Sequence, residues 1–254
     1  MIFNNFGQAL RVSVGPYLLL VLATVLIFGS ASSFEQLGDL ASGNLPPEQL
    51  VTAGGSIVIG TLVLLILFVF VAAWVAVSWH RFILLEEYSG IIPAISGRPI
   101  WPYIGRSFVY GLFIGLVALI LGFAVGIVTA ILFAVSPSLG SIGAIGLGLL
   151  LGVVLSLLWF RIGVALPAIA VGKPITMREA LDATAKIKGT ILSIVVTIVV
   201  VSMIAGVAVQ GIYGINAILG IAVDIFVQWL TLMVGVSILT TLYGHVIEGR
   251  PLID

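Results

Sequence analysis

Three polar side chains in an otherwise apolar C-terminal stretch have the clearest chemical potential: Asp224, Gln228 and Thr231. Their spacing of four and then three residues places them on one face of a helix. Asp224 follows Asn216 by eight residues, which is about 12 Å along an ideal helix. A carboxylate at that depth in a bilayer is costly unless it is paired or protonated. Two interpretations are open: an interhelical hydrogen-bond cluster near the outer surface, or a proton- or ion-coupled path.

A second group of candidate residues is basic and recurs along the chain. The trio Gly-basic-Pro occurs at Gly97-Arg98-Pro99, Gly172-Lys173-Pro174 and Gly249-Arg250-Pro251, and Trp79-His80-Arg81 resembles Trp159-Phe160-Arg161. In each trio Gly favours the left-handed conformation that ends a helix, and Pro prevents the helix from continuing. The trios are therefore predicted to be helix ends. A further hypothesis is that the basic residues hold anionic lipid headgroups; the set is Arg81, Arg98, Arg161, Lys173 and Arg250.

Motifs for enzyme chemistry are missing from the sequence. There is no Cys, and there is no HExxH, GxSxG, Walker or strand-linked GxGxxG pattern. Two isolated His residues do not make a metal site, and His80 and His245 are expected to anchor helix ends at the interface. Zero net charge excludes a global basic field for nucleic acid. We therefore expect no enzyme activity, no cofactor, no metal and no nucleic-acid partner.

The elements that position these residues are predicted to be transmembrane helices. The chain of 254 residues is 61% hydrophobic and 8% charged, whereas about a quarter of a soluble domain is charged. A span needs roughly 20 mostly apolar residues, and six stretches qualify: 15–34, 57–79, 107–135, 142–160, 190–213 and 217–243. The predicted fold is a single all-α polytopic membrane domain, 1–254. It is built as three tandem, parallel two-helix hairpins at about 1–99, 100–174 and 175–254.

The distribution of charge predicts the orientation of these helices. With six spans, all ten Lys and Arg residues fall beside the termini and the even-numbered connections, and none falls in the loops 35–56, 136–141 or 214–216. Lys and Arg are retained in the cytoplasm during insertion. Both termini are thus predicted to be cytoplasmic in a bacterial inner (plasma) membrane. Glu86 and Glu87 would then be solvated in the first cytoplasmic connection.

The small residues predict how some of the helices pack. In the third and fourth spans small residues, including Ala118, recur every three or four residues, and the glycines among them are Gly111, Gly115, Gly122, Gly126, Gly148 and Gly152. Such faces allow close backbone approach, so these spans are expected to form a tight central hairpin. The second span has no such face and is expected to contact lipid. Residues 162–171 are expected to be a Pro-broken apolar segment in or near the inner leaflet.

The stretch 159–190, WFRIGVALPAIAVGKPITMREALDATAKIKGT, carries a family resemblance. A basic residue ends a span (Arg161), an Ala-Leu-Pro segment follows, and a Glu-Ala-Leu-x-x-Thr helix leads into the next span. This pattern resembles the YciC-like bacterial inner-membrane proteins of unknown function, and it is similar to the membrane domain fused to some glycerophosphodiester phosphodiesterases. The resemblance implies an α-helical inner-membrane protein and no particular activity.

Together these features favour a non-enzymatic, membrane- or envelope-organising scaffold. Its expected partners are the phospholipid bilayer and anionic lipids, while the sequence identifies no protein partner. One alternative is a small-solute transporter or channel component that uses the polar residues of the sixth span. A less favoured alternative is an integral-membrane enzyme acting on lipid.

Overall fold

The computed structural model of the chain describes residues 5–29 and 47–251, and every regular element in these ranges is a helix. Six helical stretches are long and apolar enough to cross a membrane, which confirms the predicted all-helical fold with six candidate spans. The elements are α1 (Phe6–Phe28), α2 (Pro47–Leu85), α3 (Ile100–Val135), α4 (Pro137–Gly163), α5 (Ala165–Ala170), α6 (Met177–Ala183), a 3₁₀ turn (Ala185–Ile187), α7 (Lys188–Ile215) and α8 (Ala217–Val246).

All six stretches extend beyond the predicted spans at the ends that carry the Lys and Arg residues, which we call the basic ends. The first begins at Phe6 rather than Gly15, and the second ends at Leu85 rather than Trp79. The predicted end of the first span, Phe34, lies outside the described residues. Hydropathy marks only the apolar part of a helix, whereas backbone hydrogen bonding continues into the more polar region beyond it.

The chain divides into two compact units, Met1–Ile100 and Trp101–Asp254. In the first unit α1 packs along α2, and the buried residues concentrate at the basic ends of both helices. The second span is predicted to contact lipid, and in the half away from its basic end apolar side chains such as Ile59 and Ile66 are exposed. Residues 73–80 are buried without interruption, and His80 is completely buried rather than an interfacial anchor.

The connection 86–99 explains much of this burial, because it returns along the helices of its own unit. Gly15 in α1 donates its backbone N–H to the Ile91 carbonyl at 3.1 Å, and the Trp74 indole in α2 donates to the Pro93 carbonyl at 3.2 Å. A Cβ at Gly15 would overlap the Ile91 oxygen, so this approach requires glycine. We call residues 86–99 the strap.

In the second unit α7 packs against α4 and α8, and the short helix α5 packs against α8. Residues 162–170 are all buried, and a Cβ added at Gly163 would approach the Leu239 side chain to 3.0 Å. The predicted position of this segment in or near the inner leaflet stays a prediction. Its apolar side chains are covered by protein, and α5 packs against α8.

The close α3–α4 packing expected from the glycine pattern is not present at the predicted positions. Among the glycines of these two helices, the tight contacts lie near the connecting turn, where Cβ atoms at Gly140 and Gly143 would overlap the Phe133 and Leu132 side chains. Small residues allow helices to approach, but they do not supply the attraction. A Cβ built on any of the six glycines meets no neighbour within 4 Å, apart from one Leu151 methyl 3.9 Å from Gly122: Gly111, Gly115, Gly122, Gly126, Gly148 and Gly152.

The three trio glycines all have positive φ, at 71° for Gly97, 79° for Gly172 and 67° for Gly249. The left-handed conformation predicted from the Gly-basic-Pro pattern is therefore confirmed. After α5 the turn is a Schellman motif, in which Lys173 donates its backbone N–H to Ala168 at 2.8 Å. Gly97 differs, because it lies in a turn at the end of the strap rather than directly after a helix.

Candidate headgroup-binding site

The predicted headgroup residues fall into two electrostatic classes. Arg81 and Arg98 belong to the first class, because both bind Glu87. Arg81 donates to both carboxylate oxygens of Glu87, at 3.0 and 2.5 Å. Arg98 also donates to this carboxylate, so Glu87 bridges the two guanidinium groups. The hydrogen bonds from Arg81, followed by those from Arg98, lower the pKa of the Glu87 carboxyl below its ordinary value. The expectation that Glu87 is simply solvated is therefore wrong: it joins the end of α2 to the end of the strap.

Arg250 also belongs to the neutralised class. Its guanidinium lies 2.7 Å from the Glu248 carboxylate, next to the third trio glycine. Its backbone carbonyl lies 3.1 Å from Nδ1 of His245. The charge of Arg250 is thus balanced within the turn that ends α8.

Arg161 represents the second class, in which the positive charge has no carboxylate partner among the described residues. Its Nε donates to the Thr184 hydroxyl at 3.2 Å and its Nη2 donates to the Leu181 carbonyl at 2.9 Å. Both acceptors are neutral, and Arg161 itself is half-buried. The guanidinium is therefore held in a fixed position, and several of its five N–H donors remain for another acceptor.

The fixed position of Arg161 depends on how α6 begins. Thr176 and Glu179 form a capping box: the Thr176 hydroxyl accepts from the Glu179 backbone N–H, and the Glu179 carboxylate accepts from the Thr176 backbone N–H at 2.6 Å. The hydrogen bonds that the Thr176 backbone N–H and hydroxyl donate to the carboxylate lower the pKa of Glu179. The cap sets the start of α6, which supplies Leu181, and the residue directly after α6, Thr184, supplies the second acceptor to Arg161.

Lys173 and Arg106 are the other cations relevant to this site, and neither forms an ion pair with a described carboxylate. Lys173 is exposed just after α5. Arg106, in the first turns of α3, lies 6.0 Å from the centre of the Tyr110 ring. The Gly-basic-Pro pattern could not single out Arg106, because it stands outside any trio.

An open apolar cleft of about 270 Å³ lies between α3 and α4 within the second unit. Two of its lining residues, Trp159 and Phe160, directly precede Arg161. Gly111 contributes from the facing helix, where a Cβ would meet nothing within 4 Å. The cleft is thus the space left by the missing α3–α4 contact, and its lining is Gly111, Ile114, Leu155, Ser156, Trp159 and Phe160.

The predicted polar cluster of the sixth span is only partly a cluster. Gln228 donates to the Asp224 carboxylate at 3.2 Å, and Tyr213 of α7, which the sequence pattern did not include, lies 3.5 Å from the same oxygen. Thr231 donates instead to the Val227 backbone carbonyl. Gln228 and Thr231 are exposed, whereas Asp224 is half-buried. The interhelical contact predicted for Asp224 is thus a single long one, to Tyr213.

No family model matches the chain, and no curated protein or solved structure matches it either. The resemblance to YciC-like inner-membrane proteins stays a prediction. The chain is an all-helical protein with six apolar helices, compatible with a multi-pass membrane protein.

Proposed function

We propose that this chain is a non-enzymatic, membrane-organising protein of the bacterial inner membrane that binds anionic phospholipid at Arg161. The observation that carries the proposal is the positive charge of Arg161, which is held by two neutral oxygens and has no described carboxylate partner. A cation in this state is favourable where an anion can approach it, as at the headgroup level of an anionic leaflet.

The apolar cleft between α3 and α4 supports the same ligand. A phospholipid joins an anionic phosphate to long hydrocarbon chains, and the residues next to Arg161 line an apolar groove open at one side. We place the phosphate at the guanidinium and one acyl chain in the cleft. Trp159 fits this arrangement, because Trp favours the boundary between headgroups and hydrocarbon.

The proposed orientation follows from the Lys and Arg distribution. With the basic ends cytoplasmic, the headgroup site faces the inner leaflet, and both termini are cytoplasmic. Arg81, Arg98 and Arg250 then contribute less lipid attraction than Arg161 and Lys173, because Glu87 and Glu248 already neutralise part of their charge.

The experiment compares lipid binding by Arg161→Gln with that by Arg178→Gln. Arg178 is a matched control, because its side chain is 92% exposed and its contact with Asp182 is long, at 3.9 Å. Native mass spectrometry of protein from mixed phosphatidylglycerol and phosphatidylcholine membranes counts the lipids retained. One basic residue near an anionic surface is worth about 1 kcal/mol, so we expect roughly fivefold lower phosphatidylglycerol retention in Arg161→Gln. Arg178→Gln should lose less, because Arg178 is solvated and lies near the opposite charge of Asp182.

Arg161 also ties α4 to α6, so Arg161→Lys is the second comparison. Lys keeps the charge and loses the fixed fork of donors. Retention by Arg161→Lys between those of wild type and Arg161→Gln would support a charged site. Equal phosphatidylglycerol retention in wild type and Arg161→Gln would remove the proposal.

The alternative of a transporter or channel component relies on Asp224, Gln228 and Thr231. Two of these three side chains, Gln228 and Thr231, are exposed, and their hydrogen bonds are made within α8 itself. We therefore rank the lipid-binding scaffold first.

A further inference from the structure

The exposed face of α8 contains a heptad seam with one polar position. Along this face the residues step by 4, 3, 4 and 3, which is the a/d spacing of helices that pack side by side. Ile221, Ile225 and Gln228 are exposed, and Leu232 and Gly235 are half-buried. A Cβ at Gly235 would meet nothing within 4 Å, so the small end of the seam is also open. We call Ile221, Ile225, Gln228, Leu232 and Gly235 the α8 seam.

Gln228 makes this face unfavourable in lipid. It is the twelfth residue of α8, which places it about 18 Å along the helix and near the middle of a bilayer. One N–H of its amide donates to Asp224, while its second N–H and its carbonyl have no partner among the described residues. Polar groups exposed to hydrocarbon are costly unless another polar group satisfies them.

We propose that the α8 seam is an interface with a second copy of this chain. Two copies inserted in the same direction are related by a two-fold axis along the membrane normal, so residues meet their own counterparts at equal depth. Gln228 suits such a contact, because an amide carries both a donor and an acceptor and can pair with an identical amide. A carboxylate cannot pair with itself in this way, and Asp224 lies beside the seam rather than in it.

The remaining seam residues fit the same arrangement. Ile221 and Ile225 supply apolar contacts on one side of Gln228, and Gly235 allows close backbone approach on the other. A single polar residue in an otherwise apolar seam fixes the register and the number of helices that associate. The α8 seam therefore has apolar contact area, a small-residue contact point and one self-complementary polar group.

The first test is disulfide trapping, which is direct because the chain contains no cysteine. Ile225→Cys lies in the seam, and Ile204→Cys on α7 is a matched control with an exposed side chain of the same type. Both variants are oxidised in liposomes at low protein density. We expect a disulfide-linked dimer for Ile225→Cys and only the collisional background for Ile204→Cys; equal yields would overturn the proposal.

The second test measures dimerisation by Förster resonance energy transfer between labelled copies, as added lipid dilutes the protein in the bilayer. Gln228→Leu removes two interhelical amide hydrogen bonds and keeps the helix apolar, so dimerisation should weaken about tenfold. Gln210→Leu makes the same substitution at an exposed position of α7 and should leave dimerisation unchanged. Unchanged dimerisation in Gln228→Leu would contradict the proposal.

Discussion

The Glu87 bridge gives the sharpest stability prediction. Glu87→Gln removes the charge that Arg81 and Arg98 share and leaves two cations close together at the basic end of the first unit. One charge pair at about 4 Å is worth about 4 kcal/mol at an effective dielectric constant of 20. The three side chains retain 18–33% of their exposure, so desolvation and solvent screening reduce this value. We expect Glu87→Gln to lower the free energy of unfolding by about 2 kcal/mol, between exposed and buried ion pairs.

Reversible unfolding in mixed micelles at pH 7 measures this loss, and Glu86→Gln is the matched control. Glu86 is the adjacent residue, is exposed and takes part in none of the described ion pairs. The variant at Glu86 should differ from wild type by less than about 0.5 kcal/mol. Equal destabilisation by both variants would show that the bridge does not stabilise the strap.

The bridge also predicts a pH dependence of known sign. The pKa of Glu87 is lowered in the folded state, so its contribution is complete above the unfolded value of about 4.3. The contribution is lost as pH falls from there through the lower folded pKa. Wild type should therefore lose stability below about pH 4.3, and Glu87→Gln should lose less over the same interval. Parallel pH profiles for the two proteins would refute this reasoning.

Three further predictions concern the backbone, the glycines and the topology. Glu86 has a φ of 56°, so Glu86→Gly should stabilise the protein by up to about 1 kcal/mol in the same unfolding assay; a destabilised variant would contradict this. Gly15→Ala should lower the melting temperature more than Gly111→Ala, because only the first Cβ meets backbone; equal melting temperatures would argue against the strap contact. Single cysteines at Gly43 and Ser138 should react with an impermeant thiol reagent in intact cells, because no Lys or Arg lies in either loop; lack of labelling at both sites would argue against the proposed topology.

The number of helical spans and the conformation of the trio glycines could be predicted from the sequence. Both depend on local properties. A long apolar run is sufficient to indicate a span, and a Gly followed by a basic residue and Pro favours a left-handed turn without reference to distant residues. Gly97, Gly172 and Gly249 accordingly have the predicted φ sign, although only the last two lie in turns that end helices.

The partners of the charged residues were decided by tertiary structure. Arg81, Arg98 and Arg161 look equivalent in sequence, as basic residues near helix ends. The strap brings Glu87 to the first two, whereas α6 presents only neutral oxygens to Arg161. Charge neutralisation depends on which carboxylate the folded chain brings within reach, and sequence spacing does not specify this.

The use of the glycines was likewise decided by tertiary structure. The regular spacing of glycines in α3 and α4 permits close packing, yet Gly111 lines an open cleft between these helices. Gly15 belongs to no such pattern, but the strap can approach α1 only because this residue has no side chain. Hydropathy also could not separate the buried segment 162–170 from a lipid-facing one, because protein and lipid interiors are similarly apolar. The sequence alone established which residues belong in an apolar environment, and only the packing of the helices determined whether that environment is protein or lipid.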